Sequence, residues 1–275
     1  LSARLEFTIL GSGSSGGVPR ADGNWGDCDP AEPRNARGRC SLLARRLGGE
    51  GPRNDTTLIV DTSPDLRLQT AAAGVRRIDA CLFTHDHADQ THGIDDLRAF
   101  FLSQRARIPT HMDFATRESL KQRFSYIFES HGGYPAICDA VAIPDHGQAW
   151  WVDGPSGAIP VTTFDLDHGN VRAVGYRLGD VAYTPDVLSI PEESWPALAD
   201  LDVWIVDALR WTPHPTHAHV QLALDWIARA RPRHAILTNL HIDLDYKSLK
   251  AYLPANVEPA YDGLRFETTL RPADR

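Results

Sequence analysis

Apolar runs of strand length recur along this chain, separated by stretches rich in glycine, proline and charge. In the first half, residues 5–10, 41–46, 57–61 and 80–84 carry aliphatic and β-branched residues over such lengths and are predicted as strands. Helical spacing predicts helices over 64–73, over 93–106 (Ile94, Leu97, Phe100 and Phe101 on one face) and over 116–129. The second half repeats the mixture. Strands are predicted at 161–164, 173–178, 181–184, 203–206 and 235–238, with a helix over 220–231 that Pro232 ends. Segments 48–52 and 154–160 read as surface loops. No linker or repeat divides the two halves, so residues 1–275 are expected to form one α/β domain, two facing sheets with helices outside.

One polar run stands out against this pattern. Thr84-His85-Asp86-His87-Ala88-Asp89-Gln90 directly follows the apolar segment 79–83, which puts its side chains in the loop at a strand's carboxyl end. Neutral imidazole and ionised carboxylate suit zinc, manganese or iron. A loop site of this kind can leave a coordination position open for water. Asp61, His168, Asp186 and His241 also close apolar runs, and in open α/β folds sites gather at the carboxyl ends of strands. Any one of them is explained as well by a polar turn; the ordered set is not.

Composition narrows the classes. The chain is 42% hydrophobic and 23% charged, ordinary for a globular protein. Lys plus Arg number 28 against 36 Asp plus Glu, a net charge of −8 that argues against a general binder of nucleic acid. Bound metal ions could still make one pocket locally positive. Cys28, Cys40, Cys81 and Cys138 form no CxxC pair; Cys81 reads as a core residue, and Cys28 with Cys40 leaves a structural metal or a disulfide open. The first ten residues alternate like a strand and carry no signal-peptide core, and no apolar run reaches the roughly 20 residues that span a bilayer. A cytoplasmic protein with reduced thiols and no membrane partner is the expectation.

Two further segments bear on the substrate. Gly11-Ser-Gly-Ser-Ser-Gly-Gly-Val-Pro19 follows the first strand and is not a Walker loop; Ser14, Ser15, Gly16 and Gly17 offer hydroxyls and amides to an anion. His214-Pro-Thr-His217-Ala-His219 precedes the helix at 220–231, and an imidazole there could protonate an alkoxide leaving group. His111, His131, His146 and His234 read as packing or surface residues, and His92 as the start of the helix at 93–106.

With these residues in place, the chain resembles the metallo-β-lactamase superfamily, whose five motifs are met in order by Asp61, His85 to Gln90, His168, Asp186 and His241. The resemblance implies a four-layer αββα sandwich with a dinuclear centre between the sheets. His85, His87 and His168 would hold one divalent ion; Asp89 and His241 would hold a second, Asp186 would bridge, and Asp61 would orient a ligand histidine from behind. Zinc and manganese both suit such a set. Gln90 stands where the superfamily has histidine, so the second ion is expected to bind weakly and activity to be modest. The Gly-rich loop, Arg39-Cys-Ser41, Asp61-Thr-Ser-Pro-Asp65 and Gly93-Ile-Asp-Asp-Leu-Arg98 resemble the branch of phosphoribosyl cyclic phosphodiesterases. Members of that branch can carry a structural zinc on a cysteine cluster near the first loop, where this chain has only Cys28 and Cys40.

The resemblance implies a metal-dependent hydrolase of a small cyclic ribose phosphate or nucleotide diester. Asp89 and His217 would be its catalytic groups, and His214, His217 and the Gly-rich loop its substrate contacts. The alternatives are a lactone or thioester hydrolase and, because of Gln90, a weakened protein that binds a phosphate ligand. RNA processing fits the −8 charge poorly. The expected partner is a small phosphate ester, and a homodimer is compatible with this reading.

Overall fold

The computed structural model describes residues 3–271. The chain opens with β1 (Arg4–Gly11), β2 (Ser41–Arg46), β3 (Thr56–Val60), α1 (Leu66–Ala72), β4 (Ala80–Leu82) and α2 (Ala88–Thr91). There follow α3 (Leu97–Gln104), β5 (Ile108–Met112), α4 (Phe114–Arg123), α5 (Ser125–Phe128) and β6 (Cys138–Ala142). The remainder holds β7 (Ala149–Val152), β8 (Ile159–His168), β9 (Val171–Leu178), β10 (Val181–Thr184), β11 (Val203–Asp207), α6 (Val220–Ala230), β12 (His234–Thr238), α7 (Tyr246–Tyr252), β13 (Val257–Pro259) and β14 (Arg265–Thr269).

Two seven-stranded sheets result, ordered β14-β1-β2-β3-β4-β5-β6 and β13-β12-β11-β10-β9-β8-β7. Each is antiparallel on one side and parallel on the other, the change falling at β3 in the first sheet and β10 in the second. Alternation along the strands sorts the apolar residues into three layers. Leu5, Phe7, Ile9, Leu58, Val60 and Leu82 face Val161, Tyr176, Leu178, Tyr183, Ile205 and Ile236 between the sheets. Leu43, Ile59, Cys81 and Phe83 pack outward against Leu66, Leu97 and Leu120 of the helices. Trp204, Val206 and Leu237 pack outward against Val220, Ala223, Ile227 and Leu249. The central strands are apolar on both faces because both faces are covered. This is the αββα sandwich expected from the sequence.

Two contacts lock the sheets together at the site end. The Tyr176 hydroxyl donates to Phe83 O at 2.7 Å, and the Val174 amide donates to Thr84 O at 2.8 Å. Both acceptors lie immediately before His85, so the first ligand loop leaves a fixed point. No helix among the described residues is long and apolar enough to cross a membrane.

Several boundaries differ from the sequence reading. The segment predicted as one helix over 116–129 starts at Phe114, where the Asp113 carboxylate caps the Thr116 amide at 2.8 Å, and breaks at Phe124. The helix predicted from Gly93 begins as a 3-10 turn at Ile94–Asp96, and His92 closes α2 with its ring on Phe124 instead of starting α3. The strand placed at 161–164 runs for ten residues to His168, taking in the last two residues of the predicted loop 154–160. Its outward Asp165 pairs with Arg172 of β9, which keeps a charged alternation in strand form. Strands β5, β6, β7, β13 and β14 and helix α7 were not anticipated; most are short edge or parallel elements with polar residues or proline.

His111 is a packing residue, its ring tilted over Trp150 at 4.6 Å, with Nδ1 buried and unpartnered. Burial depresses its pKa to about 4 from 6.5. The neutral ring therefore contributes stability above the unfolded pKa that is lost as pH falls from 6.5 towards 4. We predict that His111→Phe, which keeps the ring contact, flattens the loss of unfolding free energy across that window by roughly 2 kcal/mol, allowing for partial exposure. Identical pH slopes for the two proteins in urea titrations would contradict this.

Candidate metal centre

Each candidate side chain leaves the carboxyl end of a strand, or the loop just beyond it, on one edge of the sandwich. Asp61 follows β3, His85 and His87 follow β4, His168 ends β8, Asp186 follows β10, Asp207 ends β11 and His241 follows β12. Asp61 and Asn239 hold positive φ, 64° and 62°, in the left-handed region that Asp and Asn tolerate better than most residues. Asp61 reaches Thr84, and Asn239 reaches Pro185 O and Asp186.

His85, His87 and His168 form the centre's first triad. Their ligand-capable atoms lie within 4.8 Å of one another, and their rings stand edge-on at centroid distances of 4.5, 5.0 and 5.2 Å. His85 is 1% exposed; its Nδ1 is 3.0 Å from the Thr84 hydroxyl, which leaves Nε2 buried without a protein partner. His168 Nδ1 is held by Thr216 O at 2.7 Å. Burial, reinforced by the neighbouring imidazoles, pushes the His85 pKa well down and that of His168 to about 4. Neutral rings with a free nitrogen are the protonation state that metal binding requires.

Asp61 acts on this triad at one remove. Its carboxylate accepts from the Thr84 amide at 2.8 Å and from the Thr84 hydroxyl at 2.9 Å, and that hydroxyl in turn meets His85 Nδ1. The expected carboxylate–histidine contact is thus a carboxylate–threonine–histidine relay.

Asp186, 2% exposed, is the next donor, and with His168 and His217 it makes the second group within 4.8 Å. Its Oδ2 accepts from Gln90 Nε2 at 2.9 Å and its Oδ1 from Asn239 Nδ2 at 3.3 Å. Gln90, expected as a metal ligand, is fully buried and turns its amide nitrogen to Asp186; its Oε1 has no partner. Asp89 and His241 line the adjoining cleft but belong to neither group among the described residues. His241 Nδ1 sits 3.1 Å from Asp243. His92 is exposed and meets the Phe124 ring edge-on, outside this group.

Electrostatically the cluster calls for a cation. Burial raises the carboxyl pKa of Asp61 and Asp186 well above the ordinary range, and the nearby Asp89 charge raises both further. The buried unpartnered His85 Nε2, the neutral imidazoles and the crowded carboxylates together fit a divalent metal ion.

His217 is different in kind. Its Nδ1 lies 2.8 Å from Asp207 and 3.7 Å from Asp186. Burial disfavours its charge, but the Asp207 and Asp186 carboxylates outweigh it and lift the pKa to about 9. The helix cap at α6 is His219, not His217.

A cleft of about 170 Å³ opens over these groups, lined by Ser14, Ser15, Arg20, Asp89, Leu209, Arg210, His214, His217 and His241. Ser14 and Ser15 are where the sequence placed them, and the Ser14 hydroxyl is buried without a partner. Gly16 and Gly17 do not line this cleft, and several amides of the loop are engaged within the protein. Gly13 N binds Gly38 O, Ser14 N binds Leu240 O and Gly17 N binds Ser14 O. Glycine is needed at 13 because a Cβ there would meet Arg37 Cβ at 2.8 Å. At Gly16 a Cβ would overlap the Arg20 guanidinium, which lies across the bare backbone.

Sequence reasoning missed Arg20, Arg210, Asp207, Asn239, Thr84 and Arg37. Asp207 could have been found by the strand-end rule that found Asp186, since it ends the run at 203–206. Arg37 is buried and donates to His241 O at 3.3 Å and Leu244 O at 2.7 Å, fixing the His241 loop; no local pattern marks that long-range role. Its NH1 also approaches Cys28 Sγ at 3.7 Å, while Cys40 Sγ lies 3.5 Å from Gly13 O and 3.7 Å from the Thr238 hydroxyl. All four cysteines are free thiols, and neither Cys28 nor Cys40 joins a metal-ligating group among the described residues.

Residues 56–242 match the model of a family described as a beta-lactamase superfamily domain. A crystallographically solved diphosphatase of the PhnP family is 31% identical, covers 98% of this chain and 99% of its own, and superposes with a TM-score of 0.83. Zinc-bound PqqB from Methylobacterium extorquens is 17% identical, with a TM-score of 0.70 over 95% of this chain and 99% of its own, a likeness of fold. An octanoyltransferase from Porphyromonas gingivalis is 28% identical over 265 residues, 94% of this chain but 51% of that protein. The chain therefore spans about half the length of the curated relative it matches.

The Thr84 relay generates a direct test. Thr84→Val removes the hydroxyl between Asp61 and His85 while keeping shape, and should weaken metal binding about 10- to 100-fold in chelator competition. Unchanged affinity in a folded variant would show that the relay does not orient His85.

Proposed function

This chain belongs to the metallo-β-lactamase superfamily, in its PhnP-like branch, and on that premise we propose that it is a metal-dependent phosphodiesterase of small phosphate esters. One observation carries the reading. Arg20 and Arg210 both line the cleft beside the imidazole triad, and neither is ion-paired with a carboxylate among the described residues. In a chain of net charge −8, two guanidinium groups without a carboxylate partner at the site, Arg210 donating to the Thr212 and Pro213 carbonyls, favour an anionic substrate over a neutral lactone or thioester. The cleft volume of about 170 Å³ is below the usual range for drug-sized ligands, which favours a compact ester such as a cyclic ribose phosphate or a nucleotide diester over a polymer. The name of the PhnP-family relative, a diphosphatase, is in keeping with phosphorus chemistry.

His85, His87 and His168 would hold one divalent ion, zinc or manganese, and Asp186, Asp89, His241 and Gln90 would face a second. The chemistry such ions supply when bound is polarisation of a phosphoryl oxygen and acidification of water to a pKa of about 7. The protein's own side chains do the rest. Ser14, Ser15, Arg20 and Arg210 bind the non-bridging oxygens and fix the ester against the triad. Asp207 holds His217 through Nδ1, so Nε2 is the nitrogen left to protonate the departing alkoxide. His214, 5.1 Å from His217 between ring centroids, closes the same wall. Asp207 first, then Asp186, favours the protonated form of His217, and Asp89 adds to the same field.

The test is a substrate panel on the metal-loaded protein: cyclic and p-nitrophenyl phosphodiesters against a lactone, an aryl ester and an octanoyl thioester. Turnover confined to the phosphodiesters supports the proposal, and turnover confined to the carboxylic substrates overturns it. Gly16→Ala should displace the Arg20 guanidinium and, like Arg20→Ala, raise KM about tenfold with little change in melting temperature. His217→Asn should cost about 10²- to 10⁴-fold with an alkoxide leaving group and far less with p-nitrophenolate, which needs no proton. Equal losses on the two leaving groups would remove His217 from the acid role.

A further inference from the structure

We propose that Gln90 splits the metal centre into two chemically unlike halves: a nitrogen-rich half that retains zinc, and an oxygen-rich half that takes a hard divalent ion such as Mn²⁺ and holds zinc poorly. The proposal rests on the same reading of the cleft as a metal centre and adds which ion each half selects.

The first half is His85, His87 and His168, three imidazoles whose ligand atoms lie within 4.8 Å of one another. Three neutral nitrogens and an open position are a usual zinc set. The other half is built around Asp186, and there the amide of Gln90 decides the chemistry. Gln90 Nε2 donates to Asp186 Oδ2 at 2.9 Å in a fully buried setting. The opposite orientation would set Oε1 against a carboxylate oxygen, two acceptors in contact, so the hydrogen bond fixes which end faces where. Only the carbonyl oxygen is then free for an ion, and Oε1 is a buried acceptor with no partner in the protein. A buried unpaired acceptor is costly, and a hard cation satisfies it.

The remaining donors on this side add to the oxygen count. Asp186 offers Oδ1, which already accepts from Asn239 at 3.3 Å, and Asp89 lines the cleft. Two imidazoles stand on this side, and both have a ring nitrogen already engaged: His217 Nδ1 is held by Asp207 at 2.8 Å, and His241 Nδ1 lies beside Asp243. Carboxylate and carbonyl oxygen suit manganese and magnesium, whereas zinc draws its advantage from nitrogen and sulfur. A histidine at position 90 would supply that nitrogen; glutamine removes it and narrows zinc's lead. The Gln90–Asp186 hydrogen bond also competes for the carboxylate oxygen that would bridge two ions, so the second ion binds more weakly than the first.

The experiment reads metal and not turnover, so its outcome is independent of the substrate class. Metal-stripped protein is equilibrated with Zn²⁺ and Mn²⁺ together, passed through a desalting column and analysed for both elements, with Mn²⁺ also counted by electron paramagnetic resonance before desalting. The wild-type chain is expected to retain one zinc per chain and to bind one further Mn²⁺ that exchanges freely. Gln90→His should retain two zinc ions and lose the Mn²⁺ signal. Gln90→Glu, which keeps oxygen at the position, should tighten Mn²⁺ at least tenfold without gaining a second zinc. Two equally retained zinc ions in the wild type would overturn the proposal, as would a folded Gln90→His protein with unchanged stoichiometry. The wild-type arm decides the matter even if a variant fails to fold.

Discussion

Negative charge crowded into a poorly solvated place is the constraint on which the centre depends. Asp61, Asp186 and Asp207 are each no more than 2% exposed, and Asp89 stands beside them. Carboxylates so placed either lose their charge or acquire compensating partners. The protein supplies part of the compensation: Thr84 for Asp61, Asn239 and Gln90 for Asp186, and a protonated His217 for Asp207. The balance falls to a divalent ion, and the triad of His85, His87 and His168 stands where it would bind, with His85 and His168 kept neutral by burial. Stability and site geometry are therefore coupled: the same hydrogen bonds that make the buried carboxylates tolerable also orient the candidate metal ligands.

The sandwich makes this crowding achievable. Both sheets direct strand ends to one edge, and the inter-sheet bonds from Tyr176 and Val174 hold that edge closed just before His85. Across the seam lie Arg37, which ties the His241 loop, and Gly13, which lets the first loop approach it. The cleft above the candidate ligands can then present guanidinium groups without a carboxylate partner even though the chain as a whole is acidic. Local field, not net charge, sets what such a site attracts.

Much of this was legible in the chain. Period-two apolar runs followed by single His or Asp residues announce strands that end in ligands, and the ordering of Asp61, His85 to Gln90, His168, Asp186 and His241 was enough to expect the fold. What stayed hidden is what depends on three-dimensional approach. Arg20 looks like any surface arginine until it lies across Gly16, and Asn239 looks like a turn residue until its left-handed backbone aims it at Asp186. Gln90 was visible as a departure, but only its buried hydrogen bond shows which amide atom faces the carboxylate. The short parallel strands β5 and β6 escaped because β5 carries a proline and polar residues while β6 is built on two alanines and an aspartate, weak strand formers, and sheet neighbours rather than propensity place them.

The most direct test of this account is an anomalous difference map from crystals of the full chain grown with zinc. The account predicts its strongest peak within about 2.0–2.1 Å of one ring nitrogen each of His85, His87 and His168, with His85 bound through Nε2. A strongest peak elsewhere, at Cys28 and Cys40 for example, or a zinc ion that leaves His85 Nε2 without contact, would contradict it.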